Sequence, residues 1–143
     1  MYPVIETELL KQLWSVCEGK APNEAVGLLV GEVLPLDGTV VQYTRLSPLH
    51  NISSDPMKYF ALDYTEFVRE ARPRLSGKSL ILWHSHPDSL PRLSEEDCEV
   101  MWAIKLPMLI VSLEYKCAVL YTYLKPNPDG KRPIVEWGKW GKP

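Results

Sequence analysis

Cysteine is scarce in this sequence of 143 residues, and positive charge is nowhere concentrated. The three cysteines are an odd number at wide spacing and include no Cys-x-x-Cys pair, which is typical of a reduced, cytoplasmic protein. The formal net charge is −2, and no run of Lys and Arg is present. Because phosphate binding needs clustered positive charge, this composition argues against nucleic acid as a partner.

Long apolar runs are also missing. No stretch reaches the length that a helix needs to cross a bilayer, and the first residues lack the charged-then-apolar pattern of a secretory signal. We therefore expect no membrane partner and a cytoplasmic location. The hydrophobic content of 45% and the charged content of 24% are ordinary for a soluble globular protein of one domain. No sequence feature indicates an oligomeric state.

Two of the three histidines stand one residue apart, at His84 and His86. Alternate side chains of a strand point to the same face, so both imidazoles can hold one cation between them. Ser94 has the character of a helix start, and Asp97, one turn further on, can point back at the same cation. Two imidazoles and one carboxylate form the three-ligand set of catalytic zinc, which keeps its fourth position for water.

Each part of this pattern also has a purely structural interpretation. A lone His-x-His on a strand is more often a pair of satisfied or exposed side chains than a metal site. The pair Ser94 and Asp97 is also the pattern of a helix capping box. The combination of both parts within one short strand-turn-helix unit favours the metal site.

The downstream part resembles the signature of the JAMM (MPN-plus) metalloproteases, in which His-Ser-His-Pro is followed by a serine and an aspartate. That family also has an upstream glutamate in a segment Pro-x-Glu-x-x-Gly-x-Leu-x-Gly. Residues 22–31 match this segment, with Glu24 as the glutamate. The match extends over roughly residues 1 to 124, and every signature position is filled.

The resemblance implies one Zn²⁺ per chain, bound by His84, His86 and Asp97. It makes Glu24 the general acid/base that takes a proton from the water and gives it to the leaving amine. The alternative for Glu24 is a surface residue in a loop before a strand. The Ser94 hydroxyl is assigned as a donor to the developing oxyanion, a role that competes with capping the helix.

The resemblance also implies an α/β fold, a single-domain mixed β-sheet sandwiched by helices, similar to the cytidine-deaminase-like (JAB/MPN) fold. Residues 1–124 are then the metalloprotease domain, and residues 125–143 are a C-terminal extension with one added strand near Ile134 to Trp137 and a loose tail. Apolar spacing predicts helices over residues 4–18, from Asp63 onward with Phe67, Val68 and Ala71 on one buried face, and over 94–105. It predicts strands over 25–34, 39–46, 79–83, 106–113 and 117–124, with a turn at Asp37 and Gly38.

Three functions are compatible with these residues. The first is a zinc peptidase or isopeptidase that cuts an amide bond after the Gly-Gly terminus of a ubiquitin-like or sulfur-carrier protein, as the family resemblance implies. The second is a phage tail-assembly-type peptidase, because the segments 51–53, 56–60 and 90–97 also resemble the peptidase domain of those proteins. The third is a non-catalytic MPN scaffold, which the complete ligand set argues against.

Overall fold

The computed structural model of the chain describes residues 2–35, 38–124 and 126–143. These residues form seven strands, three α-helices and a 3₁₀-helix at Arg72–Ser76. The strands are β1 (Tyr2–Ile5), β2 (Val26–Val33), β3 (Val40–Leu49), β4 (Ser79–His86), β5 (Met108–Ser112), β6 (Cys117–Tyr123) and β7 (Ile134–Gly141). The helices are α1 (Thr7–Lys20), α2 (Tyr64–Glu70) and α3 (Glu95–Ile104).

The strands form one mixed sheet in the order β1-β3-β2-β4-β5-β6-β7. The pairs β1–β3 and β4–β5 are parallel, and the remaining neighbours are antiparallel. Two parallel neighbours need a crossover connection, and α3 is the helix within the crossover from β4 to β5. This crossover brings the start of α3 back to the carboxyl end of β4.

Helices cover both faces of the sheet. Successive side chains of β4 alternate, so Ile81 and Trp83 lie in one core while Leu80 and Leu82 lie in the other. Helix α1 contributes five buried side chains to the first core: Leu9, Leu10, Leu13, Trp14 and Cys17. Helices α2 and α3 contribute to the second core: Phe67, Met101 and Ile104. The predicted mixed sheet sandwiched by helices is confirmed.

The predicted boundaries of the first helix are wrong. Residues 2–5 form β1, which pairs in parallel with β3, and the helix begins only at Thr7. Val4 and Ile5 fit the apolar spacing of a helix, but their partners are on β3, with Ile5 opposite Tyr43. A pairing partner so far away in the chain leaves no trace in local periodicity.

Two further details differ from the expectations. Val68 was predicted on the buried face of α2, yet it is 65% exposed, whereas Phe67 and Ala71 are buried. One residue turns a helix by about 100°, which moves Val68 to the solvent side. Strand β4 continues through His84 to His86 instead of ending at residue 83. Of the predicted turn, Asp37 lies outside the described residues.

The C-terminal part includes β7, which pairs antiparallel with β6 and forms an edge of the sheet. Trp140 packs against the first core, while Trp137 is half exposed. The division of the chain at residue 124 stays a prediction. Among the described residues, no helix combines the length and the apolar character that crossing a membrane requires.

Candidate metal centre

The two histidines project from the carboxyl end of β4 to the same side of the sheet. Their ring centroids lie 4.8 Å apart. The side chain of His84 is fully buried, and that of His86 is 11% exposed. Ser85 between them points to the opposite face, where its Oγ accepts a hydrogen bond from the Ala25 amide at 2.8 Å. Strand alternation thus places both imidazoles together.

Asp97 reaches the histidines from the first turn of α3, where a capping box orients it. The Ser94 Oγ accepts from the Asp97 amide, and the Asp97 Oδ2 accepts from the Ser94 amide, each at 3.0 Å. The Asp97 Oδ1 lies 3.0 Å from the His84 Nε2, and the Asp97 Oδ2 lies 3.6 Å from the His86 Nε2. The capping interpretation and the metal interpretation therefore apply to the same residues.

Glu24 approaches His84 from the other side. It lies just before β2, and the Val26–His84 pairing places it next to the histidine although 60 positions separate the two residues. Its side chain is buried, with Oε1 3.3 Å from the His84 Nδ1. The alternative of a surface loop residue for Glu24 is wrong. One imidazole is thus flanked by two carboxylates.

These carboxylates set the electrostatics of the centre. Burial lowers the pKa of His84, but the nearby carboxylates of Asp97 and Glu24 outweigh it and raise the pKa to about 9. Burial likewise raises the pKa of Asp97, but His84 and His86 outweigh it and hold the pKa well below its usual range. The raised pKa of His84 reflects the two carboxylates that face this imidazole, and such a pair of carboxylates attracts a cation.

The geometry fits a metal ion. Ligands roughly 2.0–2.1 Å from a tetrahedral zinc lie about 3.3 Å from each other. The observed separations of 3.0 and 3.6 Å from Asp97 to the two histidines lie on either side of this value. In the described part of the chain, neither ring nitrogen of the buried His84 has a well-aligned hydrogen-bond partner. A bound cation would supply the partner that a buried polar atom needs.

Two overlapping sets of side chains are candidates for holding one cation. The first is the predicted set, His84, His86 and Asp97, in which the Asp97 carboxylate oxygens lie 3.0 Å from the His84 Nε2 and 3.6 Å from the His86 Nε2. The second comprises Glu24, His84 and His86, whose potential ligand atoms lie within 4.8 Å of one another. The structure brings these four residues and Ser94 into one site, while the division of roles among them stays a prediction.

The structure adds an element that sequence reasoning left without a role. Residues 51–62, here called the 51–62 loop, run from Asn51 to Leu62, which pair in an antiparallel bridge. The Phe60 ring packs on His84 with 4.5 Å between centroids. A groove of about 570 Å³ separates this loop from residues 86–89 and the first turns of α3. The segment 56–60, noted in the sequence only for its resemblance to phage tail-assembly peptidases, forms part of this wall.

The whole-chain comparison decides the family. Residues 6–122 match the family described as prokaryotic homologs of the JAB domain. The chain belongs to this family. The JAB domain match confirms the resemblance that the two histidines, Ser94, Asp97 and Glu24 indicated. No curated protein matched the chain significantly.

Solved structures agree with a JAB domain fold. A solution structure from Desulfitobacterium hafniense is 27% identical with a TM-score of 0.68, over 96% of this chain and 90% of that chain. A JAB1/MPN domain protein from Archaeoglobus fulgidus is 22% identical with a TM-score of 0.52, over 93% and 94%. A solution structure from Salinibacter ruber is 21% identical with a TM-score of 0.58, over 96% and 89%.

Proposed function

We propose that this JAB domain is a zinc-dependent metallopeptidase or isopeptidase that hydrolyses an amide bond. The observation that carries the proposal is the fully buried imidazole of His84 between the carboxylates of Glu24 and Asp97, with His86 beside it. Buried polar groups are normally hydrogen-bonded, so a buried imidazole between two carboxylates without an aligned hydrogen bond needs an explanation. Such an arrangement is typical of a site built for a cation and a proton shuttle.

Each side chain has a distinct task in this proposal. His84, His86 and Asp97 would hold the zinc ion, and the Ser94 amide orients Asp97. When bound, zinc acts as a Lewis acid and lowers the pKa of a water molecule to about 7. Glu24 is the general base that takes the proton from the attacking water, and it then protonates the leaving amine.

Ser94 combines its two predicted tasks. Its oxygen accepts the hydrogen bond from the Asp97 amide at 3.0 Å, which uses a lone pair and leaves the hydroxyl proton free. That proton can be donated to the oxyanion that develops on the substrate carbonyl. Capping and oxyanion stabilisation therefore use different parts of one hydroxyl. Ser94 is exposed at the groove, so a substrate carbonyl can reach it.

The proposed substrate is a ubiquitin-like or sulfur-carrier protein joined to a second group after its C-terminal Gly-Gly. The groove between the 51–62 loop and α3 is open to an extended segment. A Gly-Gly segment has no bulky side chains, so it can bring its scissile carbonyl close to Ser94. The metal centre itself contains no feature that selects a side chain. A cytoplasmic setting is proposed from the free cysteines Cys17, Cys98 and Cys117.

Metal analysis and a substrate panel test the proposal. Protein purified without added metal is measured for bound zinc by elemental analysis, with one zinc per chain expected. The same protein is then incubated with fusions of ubiquitin-like and sulfur-carrier proteins, and the products are read by mass spectrometry. Release of the fused group after Gly-Gly, abolished by a chelator and restored by zinc, is the expected result.

Other outcomes point to the alternatives. Cleavage of tail-protein or cell-wall peptides with all carrier fusions left intact would assign the chain to the phage tail-assembly type. A chain that takes up no zinc even when zinc is supplied, and that cuts no member of the panel, would be a non-catalytic scaffold.

A further inference from the structure

The side chain of Asn51 makes four hydrogen bonds to the backbone of other residues. Its Nδ2 donates to the carbonyls of Glu24 at 2.9 Å and Tyr59 at 3.0 Å. Its Oδ1 accepts from the amides of Ser53 and Ala61, each at 3.0 Å. A carboxamide offers two donor hydrogens and two acceptor lone pairs. All four are occupied, and one of the four partners is the backbone of the proposed general base.

Glu24 depends on the 51–62 loop for its backbone contacts. It precedes β2, which begins at Val26, so Glu24 lies outside that strand. Its amide instead donates to the Pro56 carbonyl at 2.7 Å, and its carbonyl accepts from the Asn51 side chain. Both polar groups of the Glu24 backbone are therefore held by one loop, and Asn51 ties the two ends of that loop together.

The same loop forms one wall of the groove. Phe60 packs on the His84 ring, and the residues around it line the space in front of the metal centre. Movement of the 51–62 loop would therefore displace the Glu24 carboxylate and the groove wall together. Four of the hydrogen bonds that brace the loop use the Asn51 side chain, while backbone bonds such as Ile52 to Ala61 supply others. Asn51 therefore has a large share in fixing both the groove wall and Glu24.

We propose that Asn51 is a positioning residue, which holds Glu24 in place through the backbone and never touches the reacting atoms. This inference rests on the proposed function, because it concerns the general base of that reaction. Displacement of a catalytic group by about 1 Å can cost about 10²-fold in rate. Loss of the Asn51 contact is therefore expected to lower kcat strongly while zinc binding by the other side chains is retained.

The variant Asn51→Asp isolates the contact. Aspartate has the same shape and keeps an acceptor for the Ser53 and Ala61 amides. It replaces the donor Nδ2 with an oxygen that faces the Glu24 and Tyr59 carbonyls, where two acceptors repel each other. The matched control is Asn23→Asp, which introduces the same charge one residue from Glu24. Asn23 is exposed, and among the hydrogen bonds of the described residues its side chain has none.

Two measurements on zinc-loaded protein are needed. Amide hydrogen exchange followed by NMR reports the anchoring of Glu24 without any substrate. We expect the Glu24 amide to exchange at least about 10-fold faster in Asn51→Asp than in Asn23→Asp, while core amides of β4 stay unchanged. With a cleaved substrate, kcat should fall about 10²-fold with little change in KM. In a Glu24→Gln background, adding Asn51→Asp should lower kcat no further.

The outcomes separate the two proposals. If the wild-type protein cleaves no substrate, the proposed function fails, and the exchange rates still test the anchoring by Asn51. Equal exchange at Glu24 in both aspartate variants would overturn the inference, as would a full further loss of kcat in the Glu24→Gln background. If thermal unfolding shows that Asn51→Asp does not fold, Asn51→Ser, which introduces no charge, is measured in the same way.

Discussion

At the residue scale, the two carboxylates beside His84 have different surroundings. Asp97 contacts both histidines and is oriented by the Ser94 amide, whereas Glu24 lies at the Nδ1 side of His84. We expect Asp97→Ala to lose zinc, and Glu24→Gln to keep zinc and lose turnover, because Glu24 is proposed to transfer protons and not to bind the metal. Zinc content and kcat of the purified variants are the measurements.

Glu99→Ala is the control for this pair, since Glu99 is an exposed carboxylate on the same helix as Asp97. It should keep both zinc and turnover. Zinc loss in Glu24→Gln with retention in Asp97→Ala would instead identify Glu24 as a ligand, as the Glu24, His84 and His86 set allows.

Ser94 caps α3, and in the proposed function it also contributes to the chemistry. Removing its hydroxyl in Ser94→Ala deletes the acceptor for the Asp97 amide and should cost up to about 2 kcal/mol of unfolding free energy. It also removes the proposed oxyanion donor, which is typically worth about 10²–10³-fold in kcat. Urea unfolding measures the first effect and steady-state kinetics the second. A stable, folded variant with unchanged kcat would contradict the oxyanion role.

The pKa of His84 predicts how stability depends on pH. In the metal-free protein Asp97 and Glu24 overcome the effect of burial and raise this pKa from 6.5 to about 9. A histidine whose pKa is higher in the folded than in the unfolded protein contributes its full stabilisation at pH values below the unfolded pKa. That contribution is lost as the pH rises from the unfolded pKa towards 9. Metal binding requires the neutral imidazole, so zinc-loaded protein does not share this loss.

We therefore expect the stabilisation by zinc to grow between about pH 6.5 and about pH 9, the interval between the unfolded and folded pKa values. Urea unfolding of metal-free and zinc-loaded protein across this interval gives the difference in unfolding free energy at each pH. A difference that stays constant would show that His84 is already neutral in the metal-free protein.

At the scale of elements, the glycines of β2 allow other parts of the sheet to approach closely. A Cβ on Gly27 would lie 2.4 Å from the Trp83 indole and 2.6 Å from the Ser47 carbonyl oxygen. The Trp83 side chain is fully buried and the second group is backbone, so neither can move easily. The family segment needs glycine here because β2 is packed between two neighbouring strands and an indole.

Gly27→Ala should therefore lower the unfolding free energy by about 1–3 kcal/mol. The control is Gly19→Ala in α1, where nothing lies within 4 Å of the added carbon and alanine should stabilise the helix by up to about 1 kcal/mol. Thermal or urea unfolding of both variants measures the effects. Equal effects of the two substitutions would contradict the packing argument.

At the scale of the whole molecule, the parallel β4–β5 pair and its α3 crossover place the metal centre at the carboxyl end of the central strand. The groove lies above this end, between the 51–62 loop and α3. A scissile bond inside a folded domain cannot enter such a groove, whereas a flexible terminal segment can. In the proposed function, the shape of the groove, and not the metal, then decides which amide bonds can reach the site.

We expect folded proteins without a flexible Gly-Gly tail to stay intact, while the same proteins fused to a carrier through such a tail are released. Mass spectrometry of both forms after incubation with zinc-loaded protein makes the comparison, with chelator-treated protein as control. Cleavage within the folded partners would contradict this account of selectivity.

Local patterns in the sequence were sufficient for part of the site. Strand alternation placed His84 and His86 on one face, and the spacing of Ser94 and Asp97 predicted a capping box, because both geometries depend on residues a few positions apart. The filled signature, including Glu24, was enough to predict the family and the sandwiched sheet. The same local reasoning failed for Val4 and Ile5, whose strand partners lie in β3.

Only the tertiary structure decided how Glu24 meets His84 and what holds it there. The contact depends on the register of β2 against β4, and the anchoring depends on the fold of the 51–62 loop around Asn51. Register and loop closure are set by hydrogen bonds and packing between segments far apart in the chain. The sequence by itself therefore determined which chemical groups are available, and the packing of distant segments determined their distances and partners.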